Sequence, residues 1–231
     1  GPAVSSAAGY DALNVALHVG DCAKRVRQAR QRVACKLACG DMPWCAAQQV
    51  HGTQILEAAS VECDESQADG LWTRGPGYLL ATLIADCVPI LLADTQGRMV
   101  MALHAGWRGT VARIAARGVE LFAAHGVPLP DVRAAIGPAI GSCCFAVGRD
   151  VQQQFVQQVG LLEEECREYE GTPHLDLQAL NQRLLGEAGL QSGQIDVLRH
   201  CTACDPRVFS YRRAAGVPCG RQAGLIALHA P

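Results

Sequence analysis

The stretch that decides the fold is Tyr78–Thr110, YLLATLIADCVPILLADTQGRMVMALHAGWRGT. Its apolar runs stop at three places where polar chemistry begins: Asp86-Cys87, Asp94 and His104. Tyr78 to Ala85 and Pro89 to Ala93 are short, β-rich and bounded by turn signals, so both read as core strands. Thr95-Gln96-Gly97-Arg98 is a turn and Met99 to His104 a third strand. Gly106-Trp107-Arg108-Gly109-Thr110 then feeds a helix, where glycine permits close backbone approach and a helix start offers free N–H groups to an anion. A thiol and an imidazole thus stand at the tips of buried strands, which is how a site is built.

Working outward, the 231 residues are enough for a sizeable core. Hydrophobic content of 49%, 5% aromatic residues and a net charge of -2 give no electrostatic case for nucleic acid or an anionic membrane. No apolar run reaches the ~18 residues of a membrane span. No signal peptide is legible, though Gly1-Pro2 has the look of a protease scar that hides the native start. The twelve cysteines are spread through a chain whose core needs no staples, so they read as reduced thiols of a cytoplasmic protein. Cys201-Thr202-Ala203-Cys204 fits C-x-x-C and Cys35 to Cys39 is one helical turn, but neither has a matching second pair in sequence. Both read as unpartnered thiols.

Before the central stretch, Val26, Val33 and Leu37 mark a helix that Asp21 is expected to cap, ended by Asp41-Met42-Pro43. Trp44 to Val50 leads as an extended piece into His51-Gly52-Thr53. After it, Val111, Ile114, Gly118, Leu121, Phe122 and His125 share one helical face closed by Gly126. Val132 to Ile136 is a strand running into the loop Gly137–Phe145, and Val151, Phe155 and Val159 line another helix. Glu163-Glu164-Glu165 reads as a solvated face. Asp176 caps a helix carrying Leu177, Leu180, Leu184 and Leu185, Ile195 to Leu198 is a strand, and Leu225 to Leu228 closes the chain. Without a repeat, linker or nucleotide fingerprint, residues 1–231 read as one mixed α/β domain of the α+β kind.

His51, Cys87 and His104 stand out as ligands, each at a strand end beside glycine, proline or aspartate. One thiolate with two imidazoles gives zinc three protein ligands and an open fourth position, the pattern of a catalytic site. A zinc in such a site lowers the pKa of its water to about 7. Asp86 is placed to orient a ligand, or simply to turn the strand end. On spacing alone, a Cys87/His104 covalent dyad stands equally open.

Gln48-Gln49-Val50-His51-Gly52, Ala85-Asp86-Cys87-Val88-Pro89, His104-Ala105-Gly106-Trp107-Arg108-Gly109, Ile136-Gly137-Pro138-Ala139-Ile140-Gly141, Cys201-Thr202, Phe209-Ser210-Tyr211-Arg212-Arg213 and Gly220-Arg221 carry a resemblance that covers essentially the whole chain. In this order they resemble the laccase-domain family, also called the polyphenol oxidase or peptidoglycan editing factor family, whose members are regarded as purine nucleoside phosphorylases. The resemblance implies one zinc held by His51, Cys87 and His104, and a single-domain, four-layer αββα sandwich with mixed sheets. It implies phosphorolysis of adenosine, inosine, guanosine and methylthioadenosine, and deamination of adenosine. Older family readings are a copper-dependent laccase and a cell-wall precursor amidase. A non-catalytic nucleoside-binding module is a further alternative.

Chemistry weighs these readings. Zinc serves deamination, but no glutamate sits near a ligand in sequence to shuttle the proton. Phosphorolysis needs cationic forks for phosphate, and Arg108, Arg212, Arg213 and Arg221 are available, with Arg108 named beside Cys87, His104 and Asp86 as a catalytic group. Laccase chemistry needs several coppers and paired H-x-H histidines, whereas the seven here are scattered. Single copper binding at the zinc site stays open, since copper(II) outranks zinc in intrinsic affinity. The partners expected are small molecules, a purine nucleoside and phosphate, with neither nucleic acid nor membrane. Two departures from the family pattern are Ala29-Arg30 where Asn-Arg is expected, and an N-terminal segment Gly1–Ser5 that lacks the expected arginine.

Overall fold

The computed structural model describes residue 10 and residues 13–229, so the expectations for Gly1–Ser5 lie outside the described residues. Strands β1 (Trp44–Ala46), β2 (Ile55–Glu57), β3 (Gly70–Thr73), β4 (Leu79–Ile84), β5 (Val88–Asp94), β6 (Val100–Ala105), β7 (Val132–Ile136), β8 (Cys166–Tyr169), β9 (Thr172–Leu175), β10 (Ile195–Val197) and β11 (Gln222–Ala227) form three sheets. The helices are α1 (Ala23–Lys36), α2 (Trp107–Val111), α3 (Ile114–Ala124), α4 (Arg149–Val159), α5 (Leu177–Glu187) and α6 (Tyr211–Ala214). A six-stranded mixed sheet runs β10-β7-β5-β6-β3-β2, a three-stranded mixed sheet runs β1-β4-β11, and β8-β9 is a separate hairpin. None of these helices is long and apolar enough to cross a membrane.

Strand alternation builds the layers. In β5 and β6, Val88, Ile90, Leu92, Met101, Leu103 and Ala105 face α3 and α5, where they meet Ile114, Val119, Phe122, Leu180 and Leu184. The intervening Leu91, Ala93, Val100 and Ala102 face the small sheet and pack with Leu80 and Ile226. The far side of β4, Leu79, Ala81 and Leu83, packs with Ala29 and Ala34 of α1. Helix, small sheet, large sheet and helices therefore stack as four layers, and both sheets bury two faces. That explains why β4, β5 and β6 read as continuous apolar runs.

The central stretch is divided between the two sheets. β4 belongs to the small sheet, while β5 and β6 pair antiparallel in the large one. The chain crosses at Ala85-Asp86-Cys87, where Asp86 takes φ 94°. Other differences from the sequence have local causes. Asp21 accepts from the N–H of Cys22 and from Arg25, one residue before the helix cap it was expected to occupy. The single helix expected from Val111 to His125 is two, because Arg113 adopts φ 62° between α2 and α3. The closing strand begins three residues early, at Gln222. Glu165, expected on a solvated face, is buried and bonded to Arg183 at 2.6 Å, while Glu163 and Glu164 are exposed. Strands β2, β3, β8 and β9, three or four residues each, were not anticipated from the sequence.

Candidate metal centre

Three segments converge where the two sheets meet. His104 lies on the side of β6 that faces the small sheet, Cys87 follows the crossover, and His51 closes the loop after β1. One ligand atom from each lies within 4.8 Å of the others. The two imidazoles meet edge to face, centroids 4.9 Å apart. Gly106 keeps the space open: a Cβ there would stand 2.9 Å from His51 Cδ2 and 3.2 Å from Cys87 Sγ. Its φ of -70° is open to any residue, so the need for glycine is one of room. One thiolate and two imidazoles in this cradle fit a divalent transition metal with an open coordination position.

Asp69, which carried no signal in the sequence, organises the ligands. It lies just before β3, 2% exposed, and one carboxylate oxygen sits 2.8 Å from His104 Nδ1. With Nδ1 so engaged, Nε2 of His104 is left to ligate, the carboxylate–histidine arrangement of many metal sites. The same carboxylate accepts from the N–H groups of His51 at 2.9 Å and Gly52 at 2.6 Å. Those bonds hold His51 at φ 60°, a left-handed conformation that costs a non-glycine residue about 1–3 kcal/mol unless its surroundings enforce it. One carboxylate therefore aims two imidazoles.

The residues of the site support one another's charge. Burial pushes Asp69 up, but the bonds from His104 and the backbone of Gly52 and His51 hold it below the usual carboxylate range. Burial likewise opposes the Cys87 thiolate, yet His104 and His51 bring it down to about 6. His104 is driven down by burial and raised by Cys87 and Asp69, to about 9. The thiolate a metal requires is thus the favoured form at neutral pH.

The triad opens into a cavity of about 450 Å³, lined also by His18, Gln49, Leu83, Ala85, Asp86, Ile140, Phe145, Tyr211, Arg212 and Arg221. Gln49 exchanges bonds with the backbone of Leu83, 2.8 and 2.7 Å, and so extends the end of β4 toward His51. Asp86, expected to orient a ligand, accepts instead from the Thr202 hydroxyl at 2.6 Å and the Arg212 N–H at 2.7 Å. The orienting role belongs to Asp69, and Asp86 joins two distant loops. Arg108 stacks on Trp107, 4.3 Å from its ring centroid, and does not line the cavity. Arg213 is committed to the carbonyls of Thr202, Ala203, Asp205 and Val208. Of the four arginines named from sequence, Arg212 and Arg221 reach the cavity. Arg30, of the altered Ala29-Arg30 pair, is a structural residue that grips Asp64 through two 2.7 Å bonds.

A second group also forms. Cys143 and Cys144 come to Cys201 and Cys204, all four sulfurs within 4.8 Å of one another. The expectation that Cys201-x-x-Cys204 stands unpartnered is therefore corrected: its partners are sixty residues away in sequence and adjacent in space. Cys35 and Cys39 join no such group among the described residues.

Known proteins show the same architecture. A family model described as multi-copper polyphenol oxidoreductase laccase matches residues 3–229. The chain is 38% identical to a Deinococcus radiodurans protein named purine nucleoside phosphorylase, over 96% of this chain and 85% of that one. It is 34% identical to adenosine deaminase RL5 from an unknown prokaryotic organism, over 92% of this chain and 85% of the relative. The crystal structure of YlmD from Geobacillus stearothermophilus superimposes with a TM-score of 0.86 at 36% identity, covering 94% of this chain and 85% of that one. Sequence, fold and the match along nearly the whole length agree, and the chain belongs to the laccase-domain family of YfiH-like proteins.

Proposed function

We propose that this chain is a zinc-dependent purine nucleoside phosphorylase of the cytoplasm, cleaving inosine, guanosine, adenosine and methylthioadenosine with phosphate and also deaminating adenosine. One observation carries the reading: a single cavity of about 450 Å³ combines the His51-Cys87-His104 triad with two guanidiniums and two aromatic rings. That volume suits a small ligand. Zinc bound at the triad would supply a Lewis acid and a water acidic enough to react at neutral pH.

The chain's own groups do the rest. Arg212 and Arg221 bring positive charge and their remaining N–H groups to a phosphate, whose oxygen attacks the anomeric carbon as the bond to the purine nitrogen breaks. Arg212 is aimed by bonds to the carbonyls of Cys144 at 2.9 Å and Ala146 at 3.1 Å. Phe145 and Tyr211 present rings for a purine. His18 is held below its ordinary value, by burial first and then by Arg221, so it stands neutral at pH 7. It is the proton-transfer group this cavity offers in place of the glutamate missing from the ligand motifs. The names of the Deinococcus and RL5 relatives support both activities.

The family description also names multi-copper oxidation, but the two metal-ready groups among the described residues contain only two histidines between them. That is too few for a multi-copper centre built on imidazole. The test is chromatography of metal-quantified protein incubated with inosine and with adenosine, with and without phosphate. Hypoxanthine and ribose-1-phosphate are expected only with phosphate, and inosine from adenosine in either case. If zinc-loaded protein turns over neither nucleoside, the reading fails in favour of the cell-wall amidase or the binding module.

A further inference from the structure

We propose that Cys143, Cys144, Cys201 and Cys204 form a second metal site, a closed four-thiolate centre for a zinc-class ion that clips together two loops at the edge of the cavity. The four sulfurs lie within 4.8 Å of one another. A tetrahedral zinc with bonds of about 2.3 Å places its sulfurs about 3.8 Å apart. The recorded Sγ separations of Cys204 from Cys144 and from Cys143, 3.4 and 3.6 Å, already match. One sulfur close to two others is what a shared ion gathers, whereas a disulfide would join one pair at about 2.05 Å.

The backbone is shaped for the cluster. Phe145 and Cys144 both donate to the Gly141 carbonyl at 2.9 Å, a tight turn that presents adjacent cysteines together. The N–H of Gly141 donates to Cys201 Sγ at 3.2 Å, which favours the thiolate. A Cβ on Gly141 would stand 3.3 Å from both Cys143 Sγ and Cys201 Cβ, so the two loops approach as closely as their side chains permit. Thr202 N–H closes the pairing by donating to the Ala139 carbonyl at 3.0 Å. Four thiolates leave no coordination position for substrate, so the site is structural.

Its place in the fold gives it a task. The first loop supplies the Cys144 and Ala146 carbonyls that aim Arg212, and the second supplies Thr202, which bonds to Asp86. An ion joining Cys143-Cys144 to Cys201 and Cys204 fixes both sets of contacts at once.

The inference does not rest on the phosphorylase reading, and metal counting separates the two. Full-length protein is loaded with zinc, desalted and measured for bound metal and free thiols. Two zinc ions per wild-type chain are expected, falling to one in Cys204→Ser, in Cys143→Ser and in Cys87→Ala. Cobalt-loaded Cys87→Ala, which keeps the second site whole, should show the intense sulfur-to-cobalt absorption of a four-thiolate centre. One zinc in wild type and none in Cys87→Ala overturns the proposal, as does a disulfide among these four cysteines that persists in Cys87→Ala loaded with zinc under a thiol reductant. Inactive protein carrying two zinc ions would refute the phosphorylase reading and leave this one standing.

Discussion

Asp69 and Gly106 show how little chemistry is needed to make a ligand set once geometry is imposed. Asp69 joins His104 Nδ1 to the left-handed turn at His51, and Asp69→Asn keeps the volume while removing the charge that both bonds use. Loss of such an outer partner typically weakens metal binding 10–100-fold. Zinc affinity by competition with a chelator should fall by about that factor, and an unchanged affinity would show that the histidines need no such support. Gly106→Ala meets no backbone penalty at φ -70°, so its effect isolates the steric clash with His51 and Cys87. Metal content of this variant should drop well below that of wild type while circular dichroism stays the same. Retention of full stoichiometry would mean that the cradle relaxes at little cost.

At the scale of elements, the decisive contacts are those that seat helices on the large sheet. α2 is fixed by the Asn181 amide, which donates to the Thr110 hydroxyl at 2.9 Å and so ties the helix that carries the end of the HAGWRG motif to α5. α3 comes close through Gly118, where a Cβ would meet Leu103 Cδ1 at 2.8 Å and Leu92 Cδ1 at 2.9 Å. In an exposed helix, glycine to alanine stabilises by about 1 kcal/mol. Here the overpacking outweighs that gain, and Gly118→Ala should destabilise by about 1–3 kcal/mol. Denaturant unfolding measures the sign directly, and a stabilised variant would show that α3 can back away from the sheet.

Across the whole molecule, the cavity is assembled from segments that are remote in sequence. Arg212 of α6 reaches it because its N–H is held by Asp86 at the sheet crossover and its guanidinium by the loop after β7. Arg212→Ala removes a charged donor worth about 1.5–3 kcal/mol in such bonds. The phosphorolysis kcat/KM should therefore fall by about 10–150-fold, with metal content unchanged. Loss of metal in the same variant would instead show that Arg212 holds the architecture together. Asp86 serves this assembly and not the metal directly, which only the path of the chain between two sheets makes visible.

The sequence by itself determined the buried strands around Cys87 and His104, the helix capped by Asp176 and the family, and it singled out the three residues that the fold gathers at the candidate metal centre, because each is written in local pattern or in a short motif. The apolar runs of β4, β5 and β6 announced burial on both faces, although nothing local says which sheet a buried strand joins. Tertiary structure alone decided the crossover at Asp86, the service of Asp69, the division of the arginines and the meeting of Cys143-Cys144 with Cys201 and Cys204. Asp69 sits before a strand of four residues, too short for a period to register, and its partners lie 17 to 35 residues away. The second cysteine group was invisible for the same physical reason: metal-ligand spacing is a distance in space, and the fold brings together sulfurs that the chain holds sixty residues apart.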